Sequence, residues 1–152
     1  MITLYDYWRS SAAYRVRMAL NLLGLHYDRV PVDLTKGEQR GTENTARNPQ
    51  GLVPTLEIDG LILTQSLAII EYLADKVGRD RFWPKADDAR AMARSMVAEM
   101  HSSYAALRAE CPMNMRRQME GTKLSDAARA DVVRILTLWA EARARFGQGG
   151  PF

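Results

Sequence analysis

The spacing of apolar residues predicts alternating strands and helices in the first half of the chain. Residues 2–5 are a short run of strand-forming side chains, which indicates a first strand. From Ser11 the apolar residues recur at helical spacing until Gly24, so a first helix is expected between these positions. Residues 27–34 predict a second strand, and the polar stretch 35–48 leaves room for a short helix. The apolar positions of the first helix are Val16, Ala19, Leu20 and Leu23.

A hairpin and a further helix are predicted next. Two apolar runs, at 52–58 and 61–63, flank the pair Asp59-Gly60, which is a strong signal for a tight β-turn. Ser66 is then expected to cap a helix. The apolar face of this helix is predicted to consist of Leu67, Ile70, Leu73, Ala74 and Val77.

The second half of the chain predicts helices alone. Residues 77–86 contain glycine, proline and mixed charge, which indicates a linker between a domain at 1–76 and a helical part at 87–152. One helix is expected to end before Pro112, and its apolar positions are Ala89, Ala93, Met96 and Met100. A second is expected between an N-cap at Ser125 and a stop at Gly147, with apolar positions Val132, Ile135, Leu136, Trp139 and Phe146.

Composition narrows the class of protein without naming its chemistry. The 152 residues are 47% apolar and 26% charged, which is ordinary globular usage. No apolar run approaches the roughly 20 residues of a membrane span, and the start of the chain lacks the pattern of a signal peptide, so we expect a cytoplasmic protein. The single cysteine, Cys111, excludes an internal disulfide and a metal site built on several thiolates. The net charge of +3 suits solvated helix faces better than a nucleic-acid surface, because no nucleic-acid motif accompanies it.

Three short segments are candidates for chemistry. A cis bond before Pro54 would turn the main chain of Val53 outward to pair with an extended peptide; the alternative is a simple edge proline. Ser66 opens a helix whose free amides would suit a carboxylate, and ordinary capping is the alternative. Ser10 and Ser11 lie at the start of the first helix, where a hydroxyl could act on a ligand or merely cap the helix.

The same segments carry the motifs of a known family. Residues 9–20 read Arg-Ser-Ser-Ala-Ala-Tyr-Arg-Val-Arg-Met-Ala-Leu, residues 48–56 read Asn-Pro-Gln-Gly-Leu-Val-Pro-Thr-Leu, and residues 65–73 read Gln-Ser-Leu-Ala-Ile-Ile-Glu-Tyr-Leu. The first resembles the Ser-Ser-Cys-x-Trp-Arg-Val-Arg-Ile-Ala-Leu segment of zeta-class glutathione transferases, the class that includes maleylacetoacetate isomerase. The others resemble the cis-proline strand and the γ-glutamyl-binding segment of the glutathione transferase superfamily. The resemblance implies a thioredoxin-like α/β domain with a mixed four-stranded sheet, followed by an all-α part.

The resemblance also implies roles for individual residues around bound glutathione. Ser10 would face the thiol and Ser11 would support it or cap the helix, with Tyr7 as the alternative hydroxyl donor. Val53, directly before the strand that Pro54 opens, would pair with the cysteinyl unit through its main chain. The γ-glutamyl carboxylate would be held by Gln65 and Ser66, the glycine end by Gln39, and an acidic substrate by Arg15, for which a structural ion pair is the alternative.

The implied activity is attack of the glutathione thiolate on a small electrophile, by conjugation or cis–trans isomerisation. The class has a cysteine where this chain has Ala12, which weakens the expectation of isomerase activity more than that of glutathione binding. The alternatives are glutathione-dependent peroxide or disulfide reduction and a non-catalytic binding or assembly module. Members carry five or more helices in the second domain, so we expect an incomplete helical part here. We expect either a fragment or a homodimer that covers the exposed apolar faces.

Overall fold

The computed structural model describes residues 1–114, 116 and 118–147. They fall into two units, of which the first is Met1–Arg81 and the second begins at Phe82. The last part of the predicted helical region, residues 148–152, lies outside the described residues.

The first unit alternates strands and helices in the predicted order. Its strands are β1 (Ile2–Asp6), β2 (Asp28–Pro31), β3 (Thr55–Ile58) and β4 (Leu61–Thr64). Its helices are α1 (Ser11–Leu22), α2 (Thr42–Arg47) and α3 (Ser66–Val77), with short 3-10 turns at Leu34–Lys36, Glu38–Arg40 and Arg79–Arg81. The polar stretch after the second strand therefore does contain a short helix.

The strands form a four-stranded mixed sheet in the order β2-β1-β3-β4. β1 and β2 are parallel, because the connection between them crosses over through α1. β3 pairs antiparallel with both β1 and β4. Asp59 and Gly60 both have positive φ angles, 49° and 83°, which is what a two-residue hairpin turn requires. The predicted hairpin and mixed sheet are confirmed.

The second strand is shorter than the sequence predicted, with four residues where 27–34 were expected. All four are exposed, as an edge strand allows. The main chain turns away at Asp33, whose carboxylate accepts a hydrogen bond from the Thr35 amide at 2.9 Å and starts a 3-10 turn. A local side-chain contact therefore ends the strand before its apolar pattern does.

The core of the first unit lies between the sheet and the two long helices. Strand residues Leu4 and Leu56 are fully buried. α1 buries Ala13, Val16, Ala19 and Leu20, which agrees with the predicted face except that Leu23 is only half-buried. α3 buries Ile69, Leu73 and Ala74, whereas the predicted face residues Leu67, Ile70 and Val77 are half-buried. The predicted face of α3 was thus one residue out of phase over its first turns.

The second unit consists of helices α4 (Asp87–Ser102), α5 (Ala105–Glu110) and α6 (Asp126–Phe146). The prediction of one helix continuing to Pro112 is wrong, because the helix is interrupted between α4 and α5. Tyr104 takes a left-handed conformation there, with φ 69°, and its side chain is buried. Its hydroxyl donates to Glu99 at 2.7 Å. The interruption is therefore stabilised by the burial of Tyr104 and by this hydrogen bond.

The ends of α6 agree with the sequence, but its apolar face does not. The Ser125 hydroxyl accepts from the Ala128 amide at 3.1 Å, and Gly147 follows the last helical residue. Ile135 is buried as predicted, whereas Leu136 and Trp139 are 55% and 48% exposed. No described helix combines the length and apolar character needed to cross a membrane.

Glu99 forms an ion pair between two helices of the second unit. Arg134 donates from two nitrogens to its two carboxylate oxygens, at 2.7 and 2.8 Å, and so joins α4 to α6. These hydrogen bonds, with that of Tyr104, lower the pKa of Glu99 from 4.5 to about 2. A carboxylate whose pKa is lower in the folded state stabilises the fold above its unfolded pKa, and the contribution is lost as the pH falls toward the folded pKa.

We therefore expect the second unit to lose stability between about pH 4.5 and pH 2 partly through protonation of Glu99. Glu99→Gln should be less stable than wild type at pH 7 and should show a flatter dependence over that window. Urea unfolding followed by circular dichroism at several pH values measures this. Glu120→Gln, which neutralises an exposed carboxylate outside the helices, is the control. Equal pH dependences in wild type and Glu99→Gln would contradict the assignment.

Candidate functional site

Ser10 is the N-cap of α1. Its hydroxyl oxygen accepts from the Ala13 amide at 3.2 Å, and its own amide donates to the Tyr7 carbonyl at 3.0 Å. Because capping uses the oxygen as an acceptor, the hydroxyl proton is free to be donated elsewhere. Ser11 is the first helical residue and is exposed, so the capping role predicted for either serine belongs to Ser10.

The segment before β3 has an unpaired main chain. The Val53–Pro54 peptide bond is cis. The Asn48 side chain holds both flanks, donating to the Leu52 carbonyl at 2.9 Å and to the Thr55 hydroxyl at 3.3 Å. Among the described residues the amide and carbonyl of Val53 make no hydrogen bond. They are therefore available to pair with an extended peptide.

Gln65 and Ser66 begin α3 in a different way from the one predicted. The N-cap position is Gln65, which has a positive φ of 66° and makes no side-chain cap. Ser66 is already inside the helix, so the predicted cap by its hydroxyl is wrong. Ser66 is 1% exposed, and its Oγ has no hydrogen-bond partner among the described residues. A buried, unpartnered hydroxyl beside a strained residue at a helix start indicates a place where a ligand binds.

The pairing of the strands brings these three segments to one end of the sheet. Tyr5 of β1 pairs with Thr55 of β3, and Thr55 pairs with Thr64 of β4. The chain leaves β1 toward Ser10, enters β3 from Val53 and leaves β4 toward Ser66. All three therefore lie at the same end of three adjacent strands. The side-chain nitrogen of Gln65 also donates to the side-chain oxygen of Gln50 at 2.5 Å, which links the start of α3 to the segment before β3.

The two remaining candidates are less sharply placed. Gln39 lies in a 3-10 turn, where its main-chain carbonyl accepts from the Asn44 side chain at 2.8 Å. Its side-chain oxygen is buried and has no hydrogen-bond partner among the described residues. Arg15 lies on α1, and its half-buried side chain has an interaction partner of its own. Both residues stay predictions as ligand contacts.

The tyrosines near the end of β1 differ in their availability. Tyr5 is buried, and its hydroxyl donates to Glu57 at 3.2 Å. Burial, with that contact, raises the pKa of Tyr5. It also lines a cavity of about 290 Å³ with residues of β2 and α2, which includes none of the predicted site residues. Tyr7 is half-buried, and its ring lies 6.0 Å from that of Trp8. It stays the alternative to Ser10 as the hydroxyl donor.

A buried ion cluster at the end of β1 was not predicted from the sequence. Asp6, the last residue of β1, is fully buried and accepts two hydrogen bonds from Arg29, at 2.9 and 3.3 Å. The Arg17 Nε lies 3.2 Å from the same carboxylate and forms an ion pair with it, but it makes no hydrogen bond among the described residues. The hydrogen bonds with Asp6 raise the pKa of Arg29. No sequence pattern pairs these residues, because they come from β1, α1 and β2.

No group of three or more histidine, cysteine, aspartate or glutamate side chains that could hold a metal ion is found within the described ranges. The described side chains of the site are instead hydroxyls, amides and a guanidinium. Such groups hold ligands by hydrogen bonds and charge, and their chemistry suits an anionic, peptide-like molecule.

The two site serines should respond in opposite directions to the same substitution. Ser10→Ala removes a helix cap and should lower the free energy of unfolding by about 1 kcal/mol. Ser66→Ala removes a buried hydroxyl without a partner and should raise it by about 1 kcal/mol, because the desolvation cost disappears. Urea unfolding of the two variants in ligand-free buffer compares them directly. A loss of stability in both would show that the Ser66 hydroxyl has a partner in the free protein.

Comparisons with known proteins identify the kind of domain that residues 1–75 form. The family model for the glutathione S-transferase N-terminal domain matches residues 1–75. A maleylacetoacetate isomerase of Rhizobium meliloti (strain 1021) is 71% identical over 72 residues, which are 47% of this chain and 34% of that protein. This chain thus spans only about a third of that relative's length.

Solved structures show the same fold. A diazinon-metabolizing glutathione S-transferase of the silkworm Bombyx mori has a TM-score of 0.77 and 25% identity, with 95% of this chain and 68% of that chain covered. A glutathione transferase homologue from Sulfitobacter, crystallised with bound glutathione, has a TM-score of 0.67 and 26% identity, with 98% and 69% covered. Residues 1–75 of this chain are therefore a glutathione S-transferase N-terminal domain.

Proposed function

We propose that this chain binds glutathione at the common end of the sheet and activates its thiolate for attack on a small electrophile. The observation that carries the proposal is the convergence of the Ser10 hydroxyl, the unpaired Val53 main chain and the unpartnered Ser66 hydroxyl. Glutathione would supply the sulfur nucleophile. The Sulfitobacter homologue holds this ligand, which supports the choice of tripeptide.

Each part of the tripeptide has a matching group in the chain. The main chain of Val53 would pair with the cysteinyl unit in the manner of an added strand. Ser66 and Gln65 would hold the γ-glutamyl carboxylate, where the free amides and positive dipole end of α3 favour an anion. Gln39 would contact the glycine end, and Arg15 would orient an acidic electrophile.

Ser10 would act as a donor to the thiolate. A thiol has a pKa near 8.5, so only a few per cent is ionised at pH 7. Lowering the pKa by about 2 units requires roughly 2.7 kcal/mol of preferential thiolate stabilisation. One hydrogen bond to a charged group supplies roughly 1.5–3 kcal/mol, and the start of α1 adds about 0.3–1 kcal/mol. Ser10 and the helix end are therefore sufficient together, with Ser11 as a secondary support.

Two reactions are compatible with a thiolate so placed: conjugation and cis–trans isomerisation through a reversible adduct. The name of the Rhizobium relative supports isomerisation, whereas Ala12 at the position of the class cysteine favours conjugation. Reduction of a peroxide or disulfide, and a non-catalytic module, are the alternatives. Turnover of a general aromatic electrophile, compared with turnover of maleylacetoacetate, separates them.

We also propose a division into a glutathione-binding domain at 1–76, a linker at 77–86 and a helical part beyond it, acting as a cytoplasmic homodimer. The extent of the family match supports the first boundary. The free and exposed Cys111 suits a reducing compartment. α6 exposes Val133, Leu136 and Trp139 at helical spacing, which is an apolar surface that a second copy would cover.

Ser10→Ala should raise the pKa of the bound glutathione thiol by about 1–2 units, because a charged-acceptor hydrogen bond is lost. The ultraviolet absorbance of the thiolate, titrated with glutathione bound, measures this. Turnover of an aromatic electrophile should fall in parallel at neutral pH. Tyr7→Phe is the matched comparison. A raised pKa in Tyr7→Phe and an unchanged one in Ser10→Ala would assign the donor to Tyr7.

Ser66→Ala should weaken glutathione binding about tenfold, which corresponds to roughly 1.4 kcal/mol. Isothermal titration calorimetry with wild type and variant gives the two dissociation constants. The dipeptide cysteinylglycine, which lacks the γ-glutamyl carboxylate, is the control ligand and should bind both proteins equally. An equal loss of affinity for both ligands would mean that Ser66 does not hold that carboxylate.

A further inference from the structure

The carboxylate of Asp6 is held by two guanidinium groups at the point where β1 ends. Asp6 is 0% exposed, and both its oxygens are engaged by Arg29. Arg17 approaches the same carboxylate from α1, with a side chain that is only 15% exposed. The cluster ties two parallel strands to the helix between them. One buried carboxylate is thus compensated by two cations, and either cation alone would neutralise it.

Arg17 has contacts that Arg29 lacks. Its terminal nitrogen donates to the Trp8 carbonyl at 3.4 Å, and its guanidinium lies 5.0 Å from the centre of the Tyr14 ring. Trp8 belongs to the four-residue connection, residues 7–10, that joins β1 to α1 and ends at Ser10. Arg17 therefore touches the strand before this connection, the connection itself and the helix after it.

The position of Ser10 depends on that connection. The Ser10 amide donates to the Tyr7 carbonyl at 3.0 Å, and its carbonyl accepts from the Tyr14 amide at 2.8 Å. Ser10 is thus fixed on its helical side by α1 and on its other side by the turn that contains Trp8. A hydrogen bond to a reacting sulfur is sensitive to small displacements, and a misplacement of about 1 Å lowers rates by as much as 10²-fold.

We infer that Arg17 is a positioning residue, which fixes the connection between β1 and α1 through Asp6 and the Trp8 carbonyl and so holds the Ser10 hydroxyl in place. The inference rests on the proposed function. Arginine suits the task because its extended planar group forms an ion pair with Asp6 and at the same time donates to the Trp8 carbonyl, whereas a lysine ammonium is a single point of charge. Arg29 is the structural counterpart, because among the described residues it binds Asp6 and makes no hydrogen bond or ion pair with the connection.

The test compares Arg17→Lys with Arg29→Lys. Both variants keep a cation beside the buried carboxylate, so neither leaves Asp6 uncompensated. Arg17→Lys should raise the pKa of the bound glutathione thiol by about one unit. At a pH below that pKa it should lower turnover of the aromatic electrophile about tenfold. Arg29→Lys should leave both within twofold of wild type. Thermal unfolding of the two variants reports any shared structural loss.

S-methylglutathione separates positioning of the thiolate from binding of the tripeptide. This ligand carries no ionisable sulfur, so its dissociation constant should be the same in wild type and Arg17→Lys. The inference is overturned if Arg17→Lys titrates like wild type, if Arg29→Lys shows the same shift, or if S-methylglutathione binding falls with the rate. A wild-type protein whose bound thiol titrates like the free one would instead overturn the proposed function.

Discussion

The register of three adjacent strands is the constraint on which the candidate site depends. Tyr5, Thr55 and Thr64 lie side by side across β1, β3 and β4, so the segments that continue from them leave the sheet at one end. A shift of one residue in either pairing would turn the side chains of a whole strand to the opposite face. The fully buried Leu4 and Leu56, paired across β1 and β3, make such a shift costly. The core packing of the sheet thereby fixes the geometry of the site.

The site also departs from the rules that the rest of the fold obeys. Gln65 has a positive φ where glycine or asparagine is usual. Within the part of the chain that the structure describes, the buried Ser66 hydroxyl and the main-chain amide and carbonyl of Val53 have no hydrogen-bond partner. Native proteins concentrate such departures at functional positions, because binding makes use of the groups that folding leaves unsatisfied. The three departures therefore support one another as evidence for a ligand.

Local signals in the sequence predicted the elements well. The Asp59-Gly60 turn, the Ser125 cap and the stop at Gly147 were correct, because each depends on conformational preferences of one or two residues. The break before α5 was not predicted, since it depends on burial of Tyr104 and its contact with Glu99. Features that rest on the burial of one side chain and on its individual contacts leave no periodic trace in the sequence.

The same distinction explains which features of the candidate site the sequence could predict. The cap at Ser10 and the cis bond before Pro54 were identifiable because each lies at the boundary of a predicted element. The cap predicted at Ser66 was wrong because a serine before an apolar helix normally caps it. Only the backbone of Gln65 shows that Gln65 is the N-cap and that α3 begins one residue earlier than predicted, at Ser66.

The Asp6 cluster lay beyond the reach of sequence reasoning for a further physical reason. A buried carboxylate is stable only with charge compensation, and its partners Arg17 and Arg29 lie 11 and 23 residues away in the chain. Either arginine could equally have been one of the many solvated cations of this basic chain. Once β1 pairs in parallel with β2, however, Arg29 of β2 and Arg17 of the connecting helix both reach this carboxylate. The topology, rather than any local preference, thus brings a cation from α1 against the connection that carries Ser10.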